Sequence, residues 1–318
     1  MKHHVCIVLG VSAVASGCGG NSSSDDDDAA GDLLGTFSVQ LVAPRLETDG
    51  TTTPGYTSVL GKVYDGTTPE TVLWDASMTS GDCTLSIPRV PFCSPSCGAN
   101  MACVDDGVCA AYPTAQSVGN VHLDGVKTTS GTGVDLTAVS NTYQAAGVTL
   151  AYPAFAEGDT ISLTASGSTF ASAFTASTKG VGELSLASGS TLALASGTAL
   201  QLGWTAATSS SASTVHVKLD ISHHGGSKGK VECDTADAGS LTLASAMVDQ
   251  LLGLGAAGYP TIIVTRSSVG HAAAATGHVD LEVSSQVEVP ITVPGVQSCT
   301  DDTQCTAPAT CQDDLTCR

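Results

Sequence analysis

Four cysteines fall within seventeen residues at Cys93, Cys97, Cys103 and Cys109, and four more within nineteen at Cys299, Cys305, Cys311 and Cys317. Stretches that short hold too few apolar residues to build a core, so covalent links must fix their shape. Aligning 97–109 with 305–317 superposes three cysteines at equal x5 intervals. It also sets Ala99 on Ala307 and Asp105-Asp106 on Asp313-Asp314. The first interval differs, x3 against x5. Two copies of one small knob are expected, at 93–109 and 298–318. Zinc is the rival use of such cysteines, and it favours Cys-x2–4-Cys pairs, often with histidine. Neither cluster contains histidine and the intervals are long, so disulfides are the better reading.

Disulfides need an oxidising compartment, and the start of the chain supplies the argument for one. Val5 to Cys18 reads VCIVLGVSAVASGC behind the basic Lys2. A charged start, a short apolar middle and a small-residue end make an export signal. The span falls short of the roughly 20 apolar residues that cross a bilayer. Its ending, Ala15-Ser16-Gly17-Cys18, resembles the lipobox of bacterial lipoproteins, with Ala15 standing where that family usually has Leu. The resemblance implies that residues 1–17 are removed as a signal peptide. It also implies that Cys18 carries diacylglyceryl and palmitate chains that anchor the protein in the bilayer. Gly19 follows; in such lipoproteins Asp at that place favours inner-membrane retention, so Gly implies the outer membrane, facing the periplasm or the exterior. Residues 18–33, with the run Asp25 to Asp28, cannot bury enough surface to order themselves and read as an acidic tether.

With Cys6 in the signal and Cys18 at the lipid site, ten of twelve cysteines remain. An even number in an exported chain reads as a disulfide framework. Four per knob leaves Cys83 and Cys233, which we expect to pair and so tie two domains together; the alternative joins Cys83 to the neighbouring knob and leaves an odd thiol. The formal net charge of −19 and the scattered Lys and Arg exclude a nucleic-acid partner. Outside the knobs, runs alternate with period two, as in Phe37-Val39-Leu41 and Val215-Val217-Leu219-Ile221, and Gly, Pro, Thr and Asp punctuate them. The expected fold class is all-β, two β-sandwich domains with small disulfide-rich modules. The first domain spans 34–115 and carries the knob at 93–109; the second spans 116–297 and carries one short helix from Ser245 to Leu254.

The C-terminal knob resembles Dickkopf-type cysteine-rich modules in its spacing. FAEGDTISLTASG and LQLGWTAA, within 147–207, resemble fibronectin-like sandwich domains of exported bacterial proteins. These likenesses imply architecture and compartment, not chemistry. One string has a catalytic form: Gly225-Gly226-Ser227-Lys228-Gly229 after His224 matches G-x-S-x-G. An esterase needs that serine on a strand-to-helix turn, with an acid and a histidine later in the chain. Here it lies between two strands, Val215–Ile221 and Val231–Cys233, where a hairpin loop belongs. The alternative function is therefore a serine hydrolase using Ser227, with His271, His278 and Asp249 as partners. His122/Asp124 and His278/Asp280 stand at i, i+2 and share a face; with His223 and His224 they offer a metal site. Solvent-facing strand positions explain the same pattern, so no metal, catalytic residue or cofactor is expected. The sequence points to a non-catalytic lipoprotein that binds a protein or glycan at the cell surface.

Overall fold

A computed structural model describes residues 31–46, 51–187, 191–208 and 213–318. Residues 1–17, Cys18 and Asp25 to Asp28 lie outside the described residues. The chain is all-β, with 51% strand and 4% helix. One sheet of fifteen strands runs through it. Its main path uses β1 (Leu33–Val42), β2 (Tyr56–Tyr64), β3 (Leu73–Ser80), β4 (Cys83–Arg89), β5 (Val121–Lys127), β6 (Thr132–Val139) and β7 (Thr142–Gln144). It continues with β8 (Thr160–Ala165), β9 (Phe174–Lys179), β10 (Thr214–Asp220), β11 (Lys230–Ala236), β12 (Thr261–Ala274) and β13 (Gly277–Thr292). The order across the sheet is β9-β8-β5-β6-β7-β2-β1-β13-β12-β10-β11-β4-β3.

Period-two alternation sends Phe37, Val39 and Leu41 of β1 inward, and Val215, Val217 and Leu219 of β10 likewise. The apolar residues form two clusters. In the first, β1, β2, β5, β6 and β8 close around Phe37, Tyr143 and Phe155. The sheet rolls there until β9 meets β12, so closely that a Cβ on Gly270 would stand 2.1 Å from the Ser177 carbonyl. In the second, β10, β11, β12 and β4 are covered by Leu184, Leu194, Leu202 and Trp204, and by Met247, Val248 and Leu251 of helix α1 (Ser245–Gly253). Filling either core with a Leu- or Phe-sized side chain contributes about 1.5–3 kcal/mol; Phe37→Ala would cost about 3–5 kcal/mol.

The long β12–β13 hairpin belongs to both clusters, giving Val279, Leu281 and Val283 to the first and Ile262, Val264 and Val289 to the second. Between them its inner face turns polar, at Arg266, Ser268 and Ser285, all buried. Arg266 Nε lies 2.6 Å from Asp237 Oδ2, and its Nη2 donates to Asp237 Oδ1 at 3.0 Å and to the Thr205 carbonyl at 2.5 Å. Trp204 Nε1 and Ser213 Oγ also donate to Asp237, each at 2.8 Å. Burial pushes the Asp237 carboxyl up, but the bonds from Arg266, Ser213 and Trp204 outweigh it and hold it below the usual range. Removing one member of such a buried pair costs about 3–5 kcal/mol, because the other charge is stranded.

This arrangement corrects the domain boundaries expected from sequence. The first core draws on 34–63, 118–181 and 272–283, the second on 83–85, 184–264 and 287–293. No division at 115/116 separates them, because β2 pairs with β7 and with the short strand Ala115–Gln116. Cys83 and Cys233 do form a disulfide, yet they do not tie two domains. They face each other on neighbouring strands β4 and β11, inside the second core.

Candidate functional site

Three places carry side chains with chemical potential: the two knobs, the loop around Ser227, and the polar face of the sheet. Both knobs link their first cysteine to the third and their second to the fourth. The bonds are Cys93–Cys103 and Cys97–Cys109 in one, Cys299–Cys311 and Cys305–Cys317 in the other. The sulfurs are spent in these bonds, so the cysteine clusters are not thiolate metal sites.

The second knob is docked. Cys299 is 0% exposed and Thr316 3%. Gly258 N–H donates to the Asp314 carbonyl at 2.7 Å, and Ser298 Oγ donates to the Gly258 carbonyl at 2.5 Å. Its seat is the segment between α1 and β12, which the β10–β11 loop backs: Tyr259 N–H donates to the His223 carbonyl at 2.7 Å. A Cβ on Gly225 would stand 2.3 Å from the Gly258 nitrogen and 2.7 Å from the Asp314 carbonyl. Gly225 of the G-x-S-x-G string thus has a packing role, while Gly226 takes a positive φ of 104°.

The first knob turns apolar side chains to solvent. Val90 is 74% exposed and Phe92 72%, and Met101, Val108 and Tyr112 are also exposed. Phe92 is fixed through its backbone, which accepts from Gly107 N–H at 2.9 Å and donates to Asp106 Oδ1 at 2.9 Å. Arg89 joins the knob to β3 through Asp105 at 3.3 Å and Asp75 at 3.2 Å.

Ser227 is exposed in the hairpin loop, and the partners named for it are engaged elsewhere. Asp249 accepts from Ser196 Oγ and Gly197 N–H, both at 2.7 Å. His271 and His278 both meet Asp280. The loop follows Asp220, which stands opposite Thr261; His271 lies ten residues further along β12, about 33 Å away at the strand rise. Among the described residues, no esterase triad is assembled around Ser227.

On the polar face, three histidines each oppose an aspartate across a strand pair. His122 Nδ1 lies 2.6 Å from Asp135, His216 Nδ1 2.8 Å from Asp234, and His271 Nδ1 2.7 Å from Asp280. The bond to Asp135 raises the His122 pKa, and the bond from His216 lowers that of Asp234. The i, i+2 pairs noted in the sequence are present, with His122 Nε2 3.3 Å from Asp124 and His278 Nε2 3.6 Å from Asp280. They do not converge with each other or with His223 and His224, whose ring centroids lie 3.9 Å apart on the loop at a 51° tilt. Sequence reasoning missed His271 and Asp135 as the cross-strand members. Among known proteins, no family model and no curated entry matches this chain.

Proposed function

We propose that this chain is an exported outer-membrane lipoprotein without catalytic activity, anchored through Cys18, that binds a protein or glycan partner through its first knob. One observation carries the reading. Of two knobs with the same disulfide connectivity, one spends its surface on the body of the protein and the other offers exposed apolar side chains. Exposed large apolar side chains gathered in one short stretch, 90–112, support a contact there, since exposed apolar patches mark interaction sites. Five disulfides support residence outside the reducing cytoplasm. Among the described residues no helix is long and apolar enough to cross a membrane; the proposed attachment, a lipid at Cys18, rests on the lipobox-like Ala15-Ser16-Gly17-Cys18.

The test pairs capture with anchoring. Full chain immobilised on beads should retain a partner from outer-envelope extract, and the double variant Val90→Ser with Phe92→Ser should lose it. The variant's melting temperature should stay within about 1 °C, since surface changes are worth about 0.5 kcal/mol or less. Retention of the same partner by the variant refutes the knob as the contact. Labelled palmitate should attach to the parent and not to Cys18→Ala; equal labelling of both refutes the anchor.

A further inference from the structure

We propose that His271, His278 and Asp280 form a binding site for a late first-row divalent metal ion, with Zn2+ as the reference case, on the solvent face of β12–β13. The register of the hairpin makes the site. His271 stands opposite Asp280, and Ala273 stands opposite His278. Opposite and diagonal neighbours on one face of an antiparallel pair reach each other. The two imidazoles therefore approach one carboxylate from both strands, with ring centroids 5.8 Å apart. One ligand atom from each of the three residues lies within 4.8 Å of the others. A tetrahedral ion with bonds of about 2.1 Å sets its ligand atoms about 3.4 Å apart. The distances to Asp280 Oδ1, 2.7 Å from His271 and 3.6 Å from His278, bracket that spacing.

The hydrogen bonding around His278 suits a ligand. Its Nδ1 lies 3.0 Å from the Gly31 carbonyl, and a carbonyl only accepts, so Nδ1 carries the proton there. In the neutral ring Nε2 then presents a lone pair toward Asp280. Metal-binding imidazoles are oriented in this way, with the second nitrogen donating to a backbone carbonyl or carboxylate. A lone pair and a carboxylate oxygen 3.6 Å apart share no proton in this arrangement, and a cation between them satisfies both.

The other two His–Asp pairs act as internal controls. His122 has Asp124 as its second neighbour, and His216 has Glu232 at 4.0 Å. There one imidazole meets two acids. Among the described residues, the pair at Asp280 has a second imidazole in that place, which changes the balance from donors to ligands. Two imidazoles and one carboxylate favour Zn2+, Cu2+ or Ni2+ over Ca2+ or Mg2+. Three protein ligands leave a fourth position open to water.

The experiment uses the full chain with His3→Ala and His4→Ala, which removes the histidines of the N-terminus. After chelator treatment without reductant, it is titrated with Co2+ by absorption and with Zn2+ by calorimetry at pH 7.5. One saturable equivalent is expected, unaffected by excess Ca2+. His271→Ala, His278→Ala and the near-isosteric Asp280→Asn should each weaken it at least tenfold. His122→Ala and His216→Ala should leave it unchanged. Each variant's melting temperature in chelator reports whether it has folded, and Asp280→Asn keeps the strand's shape if an alanine variant does not. The proposal is overturned if the parent takes up no saturable equivalent. It is equally overturned if the equivalent survives in folded His271→Ala/His278→Ala, or if His122→Ala abolishes it.

Discussion

The two knobs share a spacing of cysteines and a pattern of bonds, and they differ in what surrounds them. The C-terminal knob places Cys299 and Thr316 out of solvent and threads Asp314 against Gly258. The internal knob contacts the body chiefly through Arg89 and the strand ends, leaving Val90 and Phe92 in water. Knobs with the same order of disulfide bonds can therefore do opposite work. One is a clasp that closes the β10–β11 loop, the other a platform held away from it. A disulfide pattern fixes a local shape and says little about which face is buried; the neighbouring loop decides that.

Removing the bridges tests the contrast most strongly. All four close loops of ten to twelve residues, so the chain-entropy argument assigns each about 3 kcal/mol. Any difference between knobs in their effect on the body then reports docking. Replacing Cys299, Cys305, Cys311 and Cys317 by Ser removes two bridges and should lower the main calorimetric transition by about 12–24 °C, at about 3 kcal/mol per bridge and about 2–4 °C per kcal/mol. The same replacement at Cys93, Cys97, Cys103 and Cys109 should move it by less than about 2 °C. Equal shifts would dissolve the distinction.

A gentler pair of changes should follow. Gly225→Ala forces a methyl against Gly258 and Asp314 backbone and should cost about 2–3 kcal/mol in denaturant unfolding, the usual range for overpacking. Gly98→Ala, whose Cβ would meet nothing nearer than Met101 Sδ at 4.0 Å, should stay within about 0.5 kcal/mol.

The smallest effect is in acid. The Thr316 hydroxyl, and then Arg318, hold the Asp314 carboxyl below its usual range. In the other knob the Asp106 amide, and then Arg89, do the same for Asp105. A carboxyl whose pKa falls on folding adds stability above its unfolded value, near 3.9, and loses it as pH drops through the folded value. Between about pH 5 and pH 3, amide protection in 298–318, taken relative to intrinsic exchange, should fall, and Asp314→Asn should flatten that fall. Over the same interval the first knob should loosen at its own turn, with the melting of the body unaffected by Asp105→Asn.

Much of the covalent framework is legible in the amino-acid sequence. The even cysteine count left by two four-cysteine knobs points to the Cys83–Cys233 pair, and alternation locates most strands. The sheet order is not legible there. β1 lies parallel to β13 from Leu33↔His278 to Val42↔Gln286, and nothing local in either strand encodes a partner some 240 residues away. Because of that pairing, the N-terminal strands share a core with the C-terminal hairpin, and a boundary drawn from chain order fails. The candidate metal site is hidden for a local reason. Gly270-His271-Ala272-Ala273-Ala274 is poor in β-formers, so the alternation visible in the sequence stops near Val264. Pairing with β13 overrides that weak preference, and the turn at Ala275-Thr276 then sets His271 opposite Asp280.

The place of β1 has a mechanical consequence. It is the strand nearest the N-terminus in the described structure, and it is zipped on both edges, to β13 and to β2. A pull directed along it from Gly31 loads those two ladders in shear, so the bonds must yield together rather than peel one at a time. Stretching single molecules from the N-terminus should therefore meet its highest force peak at the release of β1, the step that opens the first core.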